Sequence, residues 1–324
     1  MGLFFSFAVI ILSSFFIYFF GKHFAESSSN IGDYLNLPKD VKGATLDAIS
    51  SSAPELLVAL YSVILFQKFE VGIGTITGSA IFNLLVIPGL CVFLAPMAFR
   101  VHKRVISRDA VFYVISIMAL ALFVFYLKSW GIVVALILLG IYFIYLLTIM
   151  GHTLKHQKEN PGRKTRVKFW KEFSIFFLTF ALIAAFTYLL TYHSIRISEF
   201  LKISPIFIAF TITAIATSVP DTIISLVNAR KGSADDATSN VFGSNIFDIL
   251  VGLGLPLLIY VFLKGPVQVA FMNFEIIIGL FVSTLIVLYF FLNDTVLDKK
   301  EGIVMLGLYV LFLVYITLLS VGVI

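Results

Sequence analysis

The sequence predicts an all-α polytopic membrane protein with ten transmembrane helices, arranged as two inverted-topology repeats of five helices. Three observations predict this fold: the composition, ten long apolar runs, and two pairs of repeated motifs. Of the 324 residues, 60% are hydrophobic and only 13% are charged, whereas about 25% of residues are charged in soluble domains. The mean hydropathy of +1.04 indicates that lipid solvates most of the surface.

Ten apolar runs are long enough to cross a bilayer, which takes about 20 helical residues. The predicted spans are Leu3–Phe20, Val41–Phe66, Val71–Ala95, Ala110–Leu127, Gly131–Met150, Phe173–Tyr192, Pro205–Ala229, Asp236–Leu263, Val269–Leu292 and Gly302–Val323. Pro, Gly, Ser or Thr residues interrupt helices 2, 3, 7 and 8. Lipid cannot satisfy a freed backbone group, so such interruptions belong where the chain lines a cavity or packs inside protein. We therefore expect these four helices to be broken around a central site.

Basic residues indicate the orientation. Eighteen of the 23 Lys and Arg residues lie in or beside the connections after helices 1, 3, 5, 7 and 9. Cytoplasmic connections carry such an excess, so these connections are predicted to be cytoplasmic and both termini external. The net charge of +5 is therefore a topology signal, and no nucleic acid partner is expected. The expected location is the cell (plasma or inner) membrane.

The longest connection, residues 151–172, holds seven basic residues. It separates a first five-helix repeat (1–150) from a second one (173–324), and the two repeats form one membrane domain. A positive-inside loop explains its charge, and a patch for lipid headgroups is the alternative. The oligomeric state stays open, with a monomer as the simplest arrangement.

The repeat is visible in two pairs of motifs. Ala48-Ile-Ser-Ser-Ser-Ala-Pro-Glu55 aligns with Ala214-Ile-Ala-Thr-Ser-Val-Pro-Asp221 at an offset of 166, and Gly78–Asn83 aligns with Gly243–Asp248 at an offset of 165. Two paired strings in the same order at nearly one offset are not a chance similarity. Five helices per repeat is an odd number, so the halves enter the membrane in opposite directions, as in many secondary transporters.

Three acidic residues, Glu55, Asp221 and Asp248, lie well inside apolar runs. A carboxylate at the bilayer centre costs at least about 2.5–3.5 kcal/mol. No Lys or Arg lies at similar depth in those spans, so the acids are either protonated packing groups or ligands of a cation. Their places in the repeated motifs favour the cation.

The neighbouring residues favour a hard cation such as Ca2+, which takes six to eight oxygen ligands. Pro54 and Pro220 lack an N–H and free a carbonyl one turn earlier. No Cys or His lies near, which disfavours zinc and copper. The candidate ligands beside the three acids are the hydroxyls of Ser52, Ser79, Ser218 and Ser244, the amides of Asn83 and Asn245, and carbonyls near Ser51, Thr217, Ala48 and Ala214.

With these motifs the chain resembles the Ca2+/cation antiporter superfamily, the sodium/calcium exchangers. The resemblance rests on Ser-Ala-Pro-Glu-Leu (52–56), Val-Gly-Ile-Gly-Thr-Ile-x-Gly-Ser-Ala-x-Phe-Asn (71–83), Ser-x-Pro-Asp (218–221), Ala-Arg-Lys-Gly (229–232) and Gly-Ser-Asn-Ile-Phe-Asp (243–248). These strings are most similar to the potassium-dependent branch. The resemblance implies Ca2+ exchange for Na+ by alternating access, with helices 1 and 6 as the moving bundle. No enzymatic activity and no cofactor are expected.

The resemblance also implies roles by position. Glu55 and Asp221 would ligate Ca2+ together with the carbonyls of Ser51 and Thr217. One flanking Na+ site would be built by Ala48, Ser52 and Ser79, and its symmetry mate by Ala214, Ser218 and Ser244. Asn83 and Asp248 would complete the middle, and Asn245 and Asp248 are the positions associated with K+ use. K+ dependence stays open, since some potassium-independent relatives also carry Asp at position 248.

The chain departs from the family pattern at several positions. Ser50 and Ser51 replace a Gly-Gly or Gly-Thr pair, and Asp221 stands where many relatives have Glu. Asp47 stands where relatives have an apolar residue, and its repeat mate is Thr213. Asp47 lies about 12 Å from Glu55 along a helix. It is either an acid at the cytoplasmic mouth or an accessory site that attracts cations.

Three rival functions deserve comparison. A Ca2+/H+ antiporter would share the fold, but the hydroxyls flanking the carboxylates favour Na+. A passive cation channel would not need converging carboxylates that bind tightly. An intramembrane aspartyl protease would need a Gly-x-Gly-Asp string, which is absent. No Gly-rich phosphate loop is present either, so no nucleotide partner is expected.

Overall fold

The computed structural model describes residues 2–37, 39–102, 106–159, 169–269, 274–293 and 295–321. The α-helices are α1 (Leu3–Tyr34), α2 (Lys39–Lys42), α3 (Ala48–Ser51), α4 (Ala53–Ile64), α5 (Phe69–Leu94), α6 (Val111–Tyr126), α7 (Ile132–Glu159), α8 (Phe169–Leu201), α9 (Pro205–Ile208), α10 (Ala214–Thr217), α11 (Val219–Arg230), α12 (Ala234–Phe247), α13 (Leu253–Lys264), α14 (Phe274–Asn293) and α15 (Lys299–Ser320). Wider π-helical turns are formed by Gly43–Asp47, Ile106–Ala110, Ala209–Thr213 and Asp248–Gly252.

The described residues contain eight continuous helical segments that are long and apolar enough to cross a membrane. A ninth candidate is the pair formed by residues 205–217 and 219–230, bent by 41°. The second predicted span, Val41–Phe66, is divided into short pieces, of which Ala53–Ile64 is an apolar helix of 12 residues. The chain is therefore a polytopic helical membrane protein, and the count of ten spans stays a prediction.

Three helices extend beyond the predicted spans. α1 continues to Tyr34, α7 continues to Glu159, and α8 begins at Phe169. Both ends of the predicted basic loop are therefore helical, while its residues 160–168 lie outside the described part. Polar residues end an apolar run without ending a helix, because long polar side chains lose little freedom in a helix.

The same backbone break recurs in both halves. A π-helical turn at Gly43–Asp47 or Ala209–Thr213 leads into one turn of α-helix and then a kink at Ser52 or Ser218. The ψ angles at the two kinks are 4° and 1°. A proline two residues later lacks the N–H that would continue the helix. The breaks are 166 residues apart, so the repeat in sequence is also a repeat in structure.

The predicted break in the third span is wrong, because α5 is a single α-helix. Its glycines serve close packing instead. A Cβ on Gly78 would lie 2.2 Å from the carbonyl oxygen of Phe210, and one on Gly74 would lie 2.6 Å from that of Ile206. In the second half, α12 continues through the π-helical turn Asp248–Gly252 into α13, which is a widened turn rather than an interruption.

The core lies around α5, whereas α1 and α8 lie at the periphery. In α5, 83% of the most apolar window is buried, against 22% in α1 and in α8. α1 and α8 pack on each other through stacked Phe16 and Phe186, whose ring centroids are 4.4 Å apart. The turn after each of them contains a left-handed residue, Asn36 (φ 55°) and Lys202 (φ 56°), again 166 residues apart.

Two short antiparallel strand pairs join the halves. Strand β1 (Phe99–Arg100) pairs with β4 (Val296–Leu297), and β2 (Ser129–Trp130) pairs with β3 (Val267–Gln268). Each pair connects a loop of the first half to a loop of the second half.

Candidate ion-binding site

The three acidic residues of the repeats converge at the centre of the molecule. Glu55 lies in the first turn of α4, Asp221 in the first turn of α11, and Asp248 in the π-helical turn after α12. One carboxylate oxygen of each lies within 4.8 Å of the others. All three side chains are completely buried. The kinks at Ser52 and Ser218 are followed directly by α4 and α11, so the first turn of each helix brings its acid to this centre.

Hydroxyl groups surround Glu55. Ser79 Oγ donates to Glu55 Oε1 at 3.3 Å and lies 2.8 Å from Ser218 Oγ. Ser218 Oγ also donates to Glu55 Oε1, at 3.5 Å. The two serines come from opposite halves, so the environment of this carboxylate is shared by both repeats.

Asp221 has the matching arrangement. Ser244 Oγ donates to Asp221 Oδ1 at 2.7 Å and lies 3.1 Å from Ser51 Oγ. Asn83 Nδ2 donates to Asp221 Oδ2 at 2.8 Å and to Asn245 Oδ1 at 3.2 Å. Here again the donors come from both halves.

Several buried oxygens at this centre have no hydrogen-bond partner. They are Ser52 Oγ, Glu55 Oε2, Asn83 Oδ1 and both carboxylate oxygens of Asp248. A buried polar group without a partner is costly, and a buried unpaired charge is more so. Among the described residues, no Lys, Arg or His forms an ion pair with any of the three acids.

Carboxylate, hydroxyl and amide oxygens that share one buried centre are the donors preferred by Ca2+ and similar hard cations. The missing partner of this centre is therefore positive, and no positive side chain of the described chain supplies it. A cation fits both the charge and the unpaired oxygens.

The comparison with protein families decides the classification. The sodium/calcium exchanger protein family matches residues 5–151 and 171–318. The chain belongs to the sodium/calcium exchanger family. It is therefore related to transporters rather than to enzymes, and members of this family use transported ions and no cofactor.

Individual exchangers are similar over different lengths. The human sodium/potassium/calcium exchanger 5 is 29% identical over a gapped alignment of 392 positions, which covers 89% of this chain and 77% of the human protein. The mouse sodium/potassium/calcium exchanger 2 is 41% identical over 149 residues, but these cover 45% of this chain and only 22% of the mouse protein.

The fold is similar to that of a solved exchanger. A structure of the sodium-calcium exchanger NCX_Mj in Na+ and Sr2+ superposes with a TM-score of 0.70 at 23% identity, covering 96% of this chain and 98% of the other. A second structure of the same protein, in Na+ and Ca2+, gives a TM-score of 0.69. At this identity the likeness shows the fold alone.

Two backbone carbonyls predicted as ligands in this family member already accept hydrogen bonds. Ala48 O accepts from Ser52 N at 3.0 Å and from Ser51 Oγ at 3.1 Å. Ala214 O accepts from Ser218 N at 3.0 Å and from Thr217 Oγ1 at 3.2 Å. Their place beside the kinks agrees with the sequence analysis, and their role as ligands stays a prediction.

One polar residue at the centre is absent from the predicted ligands. Asn240 is fully buried, and its Nδ2 donates to Asp221 O at 3.4 Å and to Ser225 Oγ at 3.1 Å. Its Oδ1 accepts from Ser51 Oγ at 3.5 Å. Spacing could have revealed it, because positions 240, 244 and 248 follow at i, i+4 and i+8 on one helix face.

Asn245 turns partly away from the acids. Its Nδ2 donates to Ala80 O at 3.1 Å, across the contact between α12 and α5. Its Oδ1 faces Asn83 at 3.2 Å. The two asparagines thus join the central helices of the two halves beside Asp248.

Proposed function

We propose that this chain exchanges Ca2+ for Na+ across the membrane by alternating access, with Glu55, Asp221 and Asp248 as the central ligands. The observation that carries the proposal is the cluster of three buried carboxylates with unpaired oxygens and no basic partner among the described residues. The other proposed ligands are Ser51, Ser52, Ser79 and Ala48 with their repeat mates Thr217, Ser218, Ser244 and Ala214, together with Asn245 and with Asn83, the mate of Asp248.

Charge explains why one site can serve two ions in turn. Buried like charges repel strongly and need neutralisation, but the same carboxylates cannot neutralise a Ca2+ ion and several Na+ ions together. Binding of one ion set therefore excludes the other. That exclusion is the physical basis of exchange rather than co-transport of Na+ and Ca2+.

Energetics favour at least three Na+ per Ca2+ for extrusion. A Ca2+ gradient of about 10,000-fold costs about 5.5 kcal/mol, and a potential of about 100 mV adds about 4.6 kcal/mol. Each Na+ entering down a gradient of about tenfold returns about 3.7 kcal/mol. Two ions return about 7.4 kcal/mol and fall short, whereas three return about 11 kcal/mol. The proposed direction is Ca2+ extrusion from the cell.

Co-transport of K+ belongs to the proposal as a further step. The relatives named above are sodium/potassium/calcium exchangers. Two positions are associated with K+ use in that branch: Asn245, which bonds to Asn83 beside the central acids, and Asp248, a central acid whose two oxygens are both unpaired. These two carboxylate oxygens are available to bind an additional monovalent cation.

The proposed topology places both termini outside and the repeats 1–150 and 173–324 in opposite directions. The excess of basic residues after α1, α5, α7, α11 and α14 supports it. The matched kinks at Ser52 and Ser218 support the inverted repeat. Ten spans result if each kinked segment crosses the membrane once.

The deciding experiment measures 45Ca2+ uptake into Na+-loaded proteoliposomes diluted into Na+-free medium, with and without K+. We expect uptake that requires the outward Na+ gradient and is lost in Glu55→Gln. A requirement for external K+ would support K+ co-transport. Uptake driven by a pH gradient without Na+ would replace Na+ by H+ as the coupling ion, and uptake without any counter-ion gradient would refute antiport.

A further inference from the structure

A cavity of about 590 Å³ lies between α1 and α11. On α1 it is lined by residues between Tyr18 and Asn30, and on α11 by residues between Pro220 and Asn228. Its inner end includes Pro220, the neighbour of the ion ligand Asp221. Asn30 and Asn228 lie within about one helical turn of the C-terminal ends of their helices. Those ends face the side on which basic connections predict the cytoplasm.

Asp47 is the acid nearest in sequence to the proposed ligands and lines this cavity. It is partly exposed, and its carboxylate forms no hydrogen bond or ion pair with any described residue. Lys42, a nearby cation, is held by Asp33 at 2.8 Å and by Ser29 Oγ at 2.8 Å. Asp47 therefore lies on the wall of the cavity without a hydrogen-bonded or ion-paired partner among the described residues, although the charge of Lys42 acts on it.

Ser51 relates the position of Asp47 to the hydroxyl groups of the central site. Asp47 precedes Ser51 by four residues, which places both on one helix face. Ser51 Oγ lies 3.1 Å from Ser244 Oγ, which donates to Asp221 at 2.7 Å. These hydroxyl groups are completely buried, so transfer of a cation from Asp47 to the central carboxylates requires the site to open.

The other half has no counterpart to this carboxylate. The repeat mate of Asp47 is Thr213, which is completely buried and donates to Ser194 of α8 at 2.8 Å. The symmetric ion site is built from matched residues, and Asp47 is not one of them. Its charge therefore serves one side of the membrane only.

We propose that Asp47 captures Ca2+ from the solution that fills this cavity and passes it to the central site. Asp47 is thereby a residue that sets the Ca2+ affinity of one face of the exchanger. The inference rests on the exchange proposed above. It does not depend on the direction of net flux, because a site of capture is also a site of release.

The test needs protein of known orientation. Val227 lines the cavity and is 40% exposed, whereas the native Cys91 is buried. In a Cys91→Ala background, Val227→Cys can be blocked by a membrane-impermeant thiol reagent only where the cavity faces that reagent. Blocking from outside or from inside leaves proteoliposomes in which one orientation is active, so the Ca2+ KM of each face is measured separately.

Asp47→Asn is expected to raise the Ca2+ KM of the cavity face by about tenfold, because a charge that concentrates counter-ions is lost. The KM of the opposite face and the rate at saturating Ca2+ should stay unchanged. Asp47→Glu should retain the wild-type KM, which separates charge from folding. Glu26→Gln is the matched control, since Glu26 lines the same cavity and lies 3.5 Å from His23; it should change the KM less than twofold.

An unchanged KM in Asp47→Asn would overturn the inference, and so would an equal change on both faces, which indicates a structural role. A second readout needs no exchange: Ca2+ should slow the labelling of Val227→Cys, and Asp47→Asn should raise the half-protecting Ca2+ concentration by about tenfold. Protection that is unchanged by Asp47→Asn contradicts capture. Loss of Na+-driven uptake in the wild type would instead refute the proposed function.

Discussion

The two halves of this exchanger use equivalent positions in different ways. On α11, Val227 faces the cavity, whereas its mate Tyr61 on α4 donates its hydroxyl to Ala184 O of α8 at 3.0 Å. Ala184 is in turn the mate of Tyr18, which lines the cavity. In one half these surfaces touch at Gly21 and Pro220 and leave a cavity beside that contact, whereas in the other half a hydrogen bond joins them.

Aromatic rings close the joined surfaces. Tyr188 packs against Tyr61 with ring centroids 5.9 Å apart and stacks on Phe66 at 6.0 Å. Phe66 also contacts Tyr192 at 6.2 Å. The mates of Tyr188 and Tyr192 are Lys22 and Glu26, which line the cavity. The difference teaches that a symmetric ion site can coexist with an open cavity beside only one of its two halves.

The largest effect is expected where the halves are most alike. Glu55→Gln and Asp221→Asn each remove one charge from the buried cluster. A bound cation then loses one buried carboxylate partner, which costs about 3–5 kcal/mol. Each variant should therefore reduce Na+-driven 45Ca2+ uptake by more than about a hundredfold. Glu70→Gln, at the start of α5 and nine residues before Ser79, is the control. Near-normal uptake by either variant would show that the two acids are not equivalent.

A second prediction concerns the tight contact between α5 and the second half. Gly78→Ala places a methyl group 2.2 Å from Phe210 O, a backbone atom that cannot move alone. Overpacking of this kind should lower the free energy of unfolding by about 3 kcal/mol, measured as thermal unfolding in detergent. Gly140→Ala is the matched control, because nothing lies within 4 Å of its added Cβ. Equal melting temperatures would contradict the close approach.

A third prediction tests a difference between the repeats. Asn240→Thr introduces the residue type of its mate, Thr75, and removes the hydrogen bonds to Asp221 O and Ser225 Oγ. We expect the Ca2+ KM to rise by about tenfold, because Asp221 shifts when its backbone carbonyl no longer accepts a hydrogen bond from Asn240. Thr75→Ala should have little effect, since Thr75 Oγ1 bonds only Val71 O of its own helix. Comparable KM changes in the two variants would argue against a special role of Asn240.

The smallest effect is expected for a substitution at the contact between α4 and α8. Tyr61→Phe removes the hydrogen bond to Ala184 O, a contribution of about 1 kcal/mol. Labelling of Tyr192→Cys in a Cys91→Ala background should become about fivefold faster. Tyr188→Phe is the control, since its hydroxyl has no hydrogen bond with any described residue. If labelling is equally slow in both variants, ring packing rather than the hydrogen bond keeps this side closed.

The sequence predicted the repeat and the converging acids because an acidic residue inside a long apolar run can be recognised from the sequence alone. Glu55 and Asp221 follow prolines at matched positions, and the structure places them together with Asp248. Asn240 was missed because a single buried asparagine in a polar stretch has many interpretations. Gly78 predicted a break that is absent, since glycine in a helix can equally serve close approach of two helices.

The cavity could not be predicted at all. The motifs that define the repeat are similar in the two halves, but the packing of the helices around them differs between the halves. Beside the cavity, the departure of Asp47 from its mate Thr213 marks the two sides as different, and sequence alone left its role open. Which half is closed depends on packing among α1, α4, α8 and α11, which no local pattern encodes.

The two strand pairs determine which helices are joined across the two halves. Each ladder fastens one half to the other through loops that adjoin α5, α6, α7, α13, α14 and α15. α1 and α8 take no part in either ladder and are joined to their following helices by turns that bend at Asn36 and Lys202. The helices beside the ladders are therefore held together across the two halves, and we expect the α1–α8 pair to be the part that moves against them during the proposed exchange.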